Sequence, residues 1–340
     1  MKKIKTEAAV GMILCHDLTK IVPGEFKGVG FKKGHVVKED DIPALLSMGK
    51  DHLYVWEDQP GLIHEDEAGQ RLAEAINKGD FQAVGPKEGK VDLISIKNGL
   101  LRIDAQMITE WNMLGEIAIS TLPDYSSIRS GDKVASMRVI PLAVKEEKVA
   151  AVEKTAATSH WTMKVVPFQI KNAGMIVTGN EVYYGRITDK FSPKVERILA
   201  EMGVELTRKV YVPDRPSEIT KEIINQAESG QELILVSGGM SVDPDDATPG
   251  AINATGANIV TYGTPVFPGA MFMLAYLGDA TILGLPGCVM YSPATAFDKF
   301  LPRVLAKETI TKKQIVALGV GGLCRDCDQC HFPNCSFGVG

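Results

Sequence analysis

The sequence predicts an α/β fold over residues 169–310, a mainly parallel sheet sandwiched by helices. An N-terminal α+β region (1–168) precedes it and a cysteine-rich tail (311–340) follows. Three observations carry the prediction. From residue 173 to about 307, short apolar runs alternate with stretches whose apolar positions recur at i, i+3, i+4 and i+7. Glycine or proline closes most of these segments. The run 233–236 stops at Ser237-Gly238-Gly239 and enters an acidic loop that ends at Thr248-Pro249. Strand, glycine turn, acidic loop and helix start, in that order, fit the carboxyl edge of an open α/β sheet, where small ligands bind.

Taken in order, residues 38–48 predict a helix ended by Gly49, followed by a strand over 53–56 that includes Trp56. A second helix spans 65–77, with Leu72, Ala75 and Ile76 inward. Strand-like runs follow at 91–96 and 133–144, the second after the turn Ser130-Gly131-Asp132. The boundary falls near 169–173. Residues 173–178 then predict a strand, and Ser192-Pro193 caps a helix with Val195, Ile198, Leu199 and Met202 on one face. A strand over 204–212 leads to Pro213-Asp214, and Ser217 caps the next helix, with Ile219, Ile223 and Ile224 inward. After the glycine turn, Thr248 caps a helix reaching about 255. Strands near 259–262, 271–276 and 280–285 precede a last helix over about 292–306.

Composition excludes several functions. Of 340 residues 45% are hydrophobic and 23% charged, ordinary for a globular chain. A net charge of −5 without a basic stripe argues against a nucleic-acid partner. No apolar run reaches the roughly 20 residues of a membrane span. Met1-Lys2-Lys3-Ile4-Lys5 looks like the basic start of a signal peptide, but the apolar stretch 8–15 is short, follows Glu7 and runs into His16-Asp17. It reads as a buried strand, and the expected compartment is the cytoplasm.

Three carboxylates recur just after predicted strands: Glu181 in Thr178-Gly179-Asn180-Glu181, Asp214 in Val212-Pro213-Asp214, and Asp246 in the acidic loop. In a parallel sheet they face one edge, where a cation or a protonated ligand is needed to offset their mutual repulsion. Mg²⁺ suits such oxygen donors, above all beside phosphate. Asp243 and Asp245 read as solvated loop charges.

These motifs, together with Gly185-Arg186-Ile187, Asp189, Ser237-Gly238-Gly239, Asp246-Ala247-Thr248-Pro249 and Leu285-Pro286-Gly287, give residues 173–307 a close resemblance to a known domain. It is the molybdopterin-binding domain shared by the MogA, MoeA and gephyrin families of molybdenum cofactor biosynthesis. Residues 31–56 are also similar to a turn, helix and strand of MoeA. Two features depart from that pattern. The Met-Asp-Gly-Tyr-Ala motif is absent, and Leu285-Pro286-Gly287-Cys288-Val289 stands where the pattern has Leu-Pro-Gly-Asn-Pro.

The resemblance implies a ligand: molybdopterin, adenylyl-molybdopterin or the finished molybdenum cofactor. It implies binding by Thr178, Gly179, Ser237, Gly238, Gly239, Ser241, Thr248, Pro286 and Gly287, and catalytic roles for Asp246, Asp214 and Glu181 with Mg²⁺. Glycines 238 and 239 let backbone approach a phosphate, and helix starts at Thr248 and Ser192 attract anions. The enzymatic reading is a molybdopterin molybdenumtransferase that couples molybdate insertion to adenylyl-molybdopterin hydrolysis. The alternative is a carrier or maturation factor that holds the cofactor for a recipient molybdoenzyme. The missing motif favours the carrier, and the intact Glu181, Asp214 and Asp246 set favours the enzyme. The resemblance also implies a homo-oligomer.

The tail carries Cys324-x2-Cys327-x2-Cys330-x4-Cys335, with His331 inside. In a reducing compartment such a cluster points to metal rather than disulfides. Its spacing fits a [4Fe–4S] centre or Zn²⁺. The flanking Gly319, Gly321, Gly322 and Gly338 predict a flexible tail that orders only around the metal.

Overall fold

The computed structural model describes residues 2–22, 24–55, 60–241 and 246–339. Trp56 of the predicted strand, and the expected solvated charges Asp243 and Asp245, lie outside the described residues. The chain divides into two compact units. The first comprises residues 1–97, 102–124 and 128–165, the second 98–101, 125–127 and 166–340.

In the first unit, an antiparallel sheet orders its strands Phe81–Lys87, Lys90–Ser95, Lys133–Val139 and Ile117–Thr121. The helix Glu65–Ile76 packs on it and on a second helix, Glu146–Thr158. Arg71 ties the helices together. Its guanidinium donates to both Glu153 oxygens (2.8 Å each) and to Glu146 (2.9 Å). The predicted strand over 133–144 is broken after Val139, since Pro141 lacks an N–H to continue the ladder, and resumes as Ala143–Lys145. The predicted helix over 38–48 is a 3₁₀ turn Glu39–Asp41 followed by Ile42–Ser47. Residues 8–15 form no strand. A 3₁₀ turn (Thr6–Ala8) and single bridges at Ile13 and Leu14 replace it, while Ala9, Leu14 and Cys15 are buried.

The second unit is built on a six-stranded sheet in the order Glu205–Val212, Asn172–Thr178, Leu233–Ser237, Ala280–Leu285, Met273–Leu277 and Asn258–Tyr262. The first four strands pair in parallel, and Met273–Leu277 runs antiparallel to both its neighbours. Side chains alternate between two cores. Met175, Val177, Leu233, Leu235 and Leu283 face the helices Ser192–Glu201 and Ala296–Leu305. Ile176, Ile234, Val236 and Ile282 face the helices Pro216–Glu228 and Thr248–Ala254. Burial on both faces is why these strands read as unbroken apolar runs rather than as an alternation. Among the described residues, no helix is long and apolar enough to cross a membrane.

Helix starts differ from the sequence reading in a consistent way. Ser192, Ser217 and Thr248 are not caps. Each lies inside its helix, after Phe191, Arg215 and Ala247, and none of those three helices has a side-chain cap from its N-cap residue. The last helix begins at Ala296 instead of 292, because Thr295 and Asp298 form a reciprocal capping box there.

Candidate functional site

Strand register brings the loops of interest together. Thr178 pairs with Val212, Val177 with Ser237, and Ser237 with Leu285. Four parallel strands therefore end at one level, and the chain leaves that edge at residues 179, 213, 238 and 286.

The first two exits are joined directly. The Asp214 carboxylate accepts a hydrogen bond from the Asn180 backbone N–H at 2.8 Å, and the Asp214 N–H donates to the Asn180 side-chain oxygen at 3.4 Å. Gly179, at φ +135°, turns the chain so that Glu181 folds back over it. A Cβ on Gly179 would lie 3.2 Å from a Glu181 carboxylate oxygen. Glu181 itself is exposed and Asp214 half-buried.

At the third exit the backbone must pass very close to its neighbour. Gly238, at φ +93°, leaves no room for a side chain, because a Cβ would press into the Thr178 carbonyl. Gly239 continues at φ +54°. The Thr248 hydroxyl donates to the Gly238 carbonyl at 2.8 Å and sits 3.4 Å from the Thr178 hydroxyl, while its N–H donates to the Gly239 carbonyl at 3.2 Å. Thr248 thus clamps the glycine turn instead of capping its helix. Just ahead of the turn, Ser237 is 1% exposed, and its hydroxyl has no hydrogen-bond partner among the described residues. A buried hydroxyl left unpaired costs roughly 1–3 kcal/mol, so it marks a place where a partner is expected.

Asp246 follows within electrostatic reach of Tyr262, whose hydroxyl donates to the carbonyls of Met240 (3.4 Å) and Ser241 (3.3 Å). Burial first, and the Asp246 charge second, raise the Tyr262 pKa above the ordinary phenol value. At the fourth exit Pro286 is buried and Gly287 exposed, with nothing within 4 Å of where its Cβ would stand. Behind this loop the Lys194 ammonium donates to the Ser292 carbonyl at 2.6 Å, and burial lowers its pKa. Burial raises that of Cys288.

One expected anion site already holds an anion of the protein's own. At the start of the helix Ser192–Glu201, the Asp189 carboxylate accepts from the backbone N–H groups of Phe191 (2.8 Å) and Ser192 (3.0 Å) and from the hydroxyls of Ser192 and Tyr211. Burial opposes its charge, yet these donors hold its pKa below the ordinary aspartate value. Spacing could have revealed this, since Asp189 stands three residues before Ser192, a usual capping distance. Tyr262 left no comparable signal, because its role depends on a strand distant in sequence.

Glu181, Asp214 and Asp246 follow strands that end at one edge, yet among the described residues no three His, Cys, Asp or Glu side chains are grouped so as to hold a metal ion. The same holds for the four tail cysteines. The tail is seated on the second unit, with Phe337 in its core.

Residues 174–307 match the family described as "Probable molybdopterin binding domain", and residues 3–57 match a domain of unknown function. A CinA-like protein of Mycobacterium tuberculosis (strain ATCC 25177 / H37Ra) is 41% identical over 76 residues, 22% of this chain and 18% of the relative. The chain thus spans about a fifth of the length of the curated relatives it matches. Among solved structures, the protein CinA of unknown function from Thermoplasma acidophilum is 20% identical, with a TM-score of 0.35, covering 40% of this chain and 98% of its own. The molybdopterin biosynthesis enzyme MoaB of Thermus thermophilus is 21% identical, with a TM-score of 0.31, covering 40% and 90%.

Proposed function

We propose that the sheet edge at residues 178, 214, 237–248 and 286–287 binds molybdopterin, as such, adenylylated or metal-loaded, and that the protein holds this cofactor for a recipient molybdoenzyme in the cytoplasm. The observation that carries the reading is the unpaired hydroxyl of Ser237, buried beside a glycine turn that only a backbone without Cβ can make. A phosphate oxygen is a suitable acceptor for that hydroxyl, and the glycines let an anionic head approach the backbone. Thr178 and Thr248 add hydroxyls beside the same turn, Ser241 follows it in the chain, and Pro286 and Gly287 follow the neighbouring strand on the other side.

A magnesium ion held by protein alone does not suit this edge, because no three carboxylates are grouped among the described residues. Mg²⁺ commonly takes one or two carboxylates plus substrate phosphates, and Asp246 or Asp214 would serve in that way. The same carboxylates support a second reading, molybdate insertion with release of AMP. Holding is preferred because the Met-Asp-Gly-Tyr-Ala motif is absent.

The test is to purify the protein, oxidise it and look for a fluorescent pterin, then titrate it with molybdopterin. A Ser237→Ala protein that binds pterin as tightly as wild type sinks the assignment of this edge. Incubation with adenylyl-molybdopterin, molybdate and Mg²⁺ separates the two readings. Binding without AMP supports holding, and AMP at a catalytic rate replaces it with insertion.

A further inference from the structure

The cysteine tail takes no part in the sheet edge, and its backbone is closed into a loop. Gly338 N–H donates to the Gly321 carbonyl at 2.8 Å, which seals residues 321–338. The loop is anchored at its start by a short parallel bridge, in which Phe267 N–H donates to Gly322 O and Cys324 N–H donates to Phe267 O, both at 2.8 Å. Gly322 is buried and cannot be replaced without penalty, since a Cβ would press into the carbonyls of Leu318 and Pro265. At its end Phe337 is 4% exposed, and the ring of Phe332 meets it edge-on at 6.0 Å between centroids.

Between these anchors the chain has almost nothing apolar to bury. Residues 325–336 contain Phe332 and Pro333, and otherwise polar side chains and thiols. Yet Cys324, Cys327, Cys330 and Cys335 all line a single cavity of about 210 Å³, together with His331 and the two phenylalanines. None of the four is in a disulfide. A loop this short, with so small a core, gains its order from a staple. Four thiols facing one space are a donor set that soft metals select.

We infer that Cys324, Cys327, Cys330 and Cys335 form a binding site for a thiophilic metal centre, an iron–sulfur cluster or a single zinc ion, which closes the 325–335 stretch around itself. The thiols are not grouped as a finished site, and binding must therefore draw them inward while the seams at residues 322–324 and 337–338 stay in place. Each ligating thiol gives up its proton, and the positive metal core offsets the resulting thiolate charge. The Lys299 side chain lies beside this stretch, its ammonium 5.9 Å from the Phe332 ring centroid. A single zinc would need Zn–S distances of about 2.3 Å, so that the cavity all but disappears. A cluster would occupy more of the space. Another part of the cavity wall is made by residues 292–294, on the connection that starts at Pro286, so the site adjoins the sheet-edge rim without depending on what binds there.

The experiment uses the full chain, purified anaerobically and also stripped and reloaded with ferric iron plus sulfide and a thiol reductant, or with zinc alone. Metal and sulfide are measured per chain, with limited proteolysis of the tail as a second readout. The expected result is one centre per chain and at least tenfold slower cleavage within 325–335 when loaded. Brown protein with iron and sulfide in equal amounts identifies a cluster, and colourless protein with one zinc identifies a mononuclear site. Cys327→Ser and Cys330→Ser, both at exposed positions, should lower metal content severalfold. Cys288→Ser, outside the cavity, should leave it unchanged. If neither reloading gives stoichiometric metal, or if metal does not slow cleavage, the inference is overturned. Cysteine variants that retain full metal content would overturn it as well.

Discussion

The sheet edge and the cysteine loop, both in the second unit, hold their functional groups by opposite means. The edge is built before any ligand arrives. Parallel register aligns four strand ends, two cores lock the strands, and a hydroxyl clamp fixes the glycine turn. Its sign of function is a deficit, the unpaired Ser237. In the loop only the seams are built, and its thiols share a cavity without being grouped. A core of ordinary size can carry the cost of one unsatisfied polar group, whereas a loop without a core needs its ligand for order.

The sharpest way to break this comparison is to strike each region's essential glycine. Gly238→Ala places a Cβ against the Thr178 carbonyl at a left-handed φ, where a central strand leaves the sheet. It is expected to cost about 3 kcal/mol of global stability and to abolish pterin binding, as read by thermal unfolding and by titration. Gly322→Ala should damage only the loop seam. Cleavage in 325–335 should accelerate while the main unfolding transition moves far less. Equal effects on global unfolding would mean that the tail is part of the cooperative core.

The next effect is smaller and has two signs. Ser237→Ala removes the unpaired hydroxyl, so the ligand-free protein should gain about 1 kcal/mol in thermal unfolding while pterin affinity falls about tenfold. A loss of stability together with unchanged affinity would show that Ser237 has an ordinary structural partner.

The smallest expected effect concerns pH. The Asp189 pKa is depressed, so its contribution to stability is complete above the ordinary aspartate value of 3.8 and is lost as pH falls through the folded-state value. Acid titrations of wild type and Asp189→Asn should therefore differ at neutral pH and converge in acid. Curves that stay parallel down to the acid transition would exclude Asp189 as a titrating contributor.

Much of the second unit was legible because its signals are local. Continuous apolar runs, helical periodicity and the stops at Gly203 and Gly230 mark the strands and helices to within a few residues. The first unit was less legible. Its helices Ala105–Met113 and Glu146–Thr158 went unread, although Asp104 accepts from Met107 N–H in an ordinary cap. The serine and threonine starts misled for a physical reason. A hydroxyl near a helix start has several partners within reach, and Thr248 and Ser192 take the Gly238 carbonyl and the Asp189 carboxylate instead of capping.

By itself the sequence determined which segments are strands and helices of the α/β unit, that carboxylates follow three strands, and that four thiols crowd one short stretch. Those properties reside in neighbouring residues and their periodicity. Only the tertiary structure decided that Ser237 has no partner among the described residues, that Asp214 accepts from Asn180, that Thr248 clamps a turn, and that all four thiols face one cavity. Each of these depends on what long-range pairing and packing place opposite a given atom, and local pattern carries no record of that.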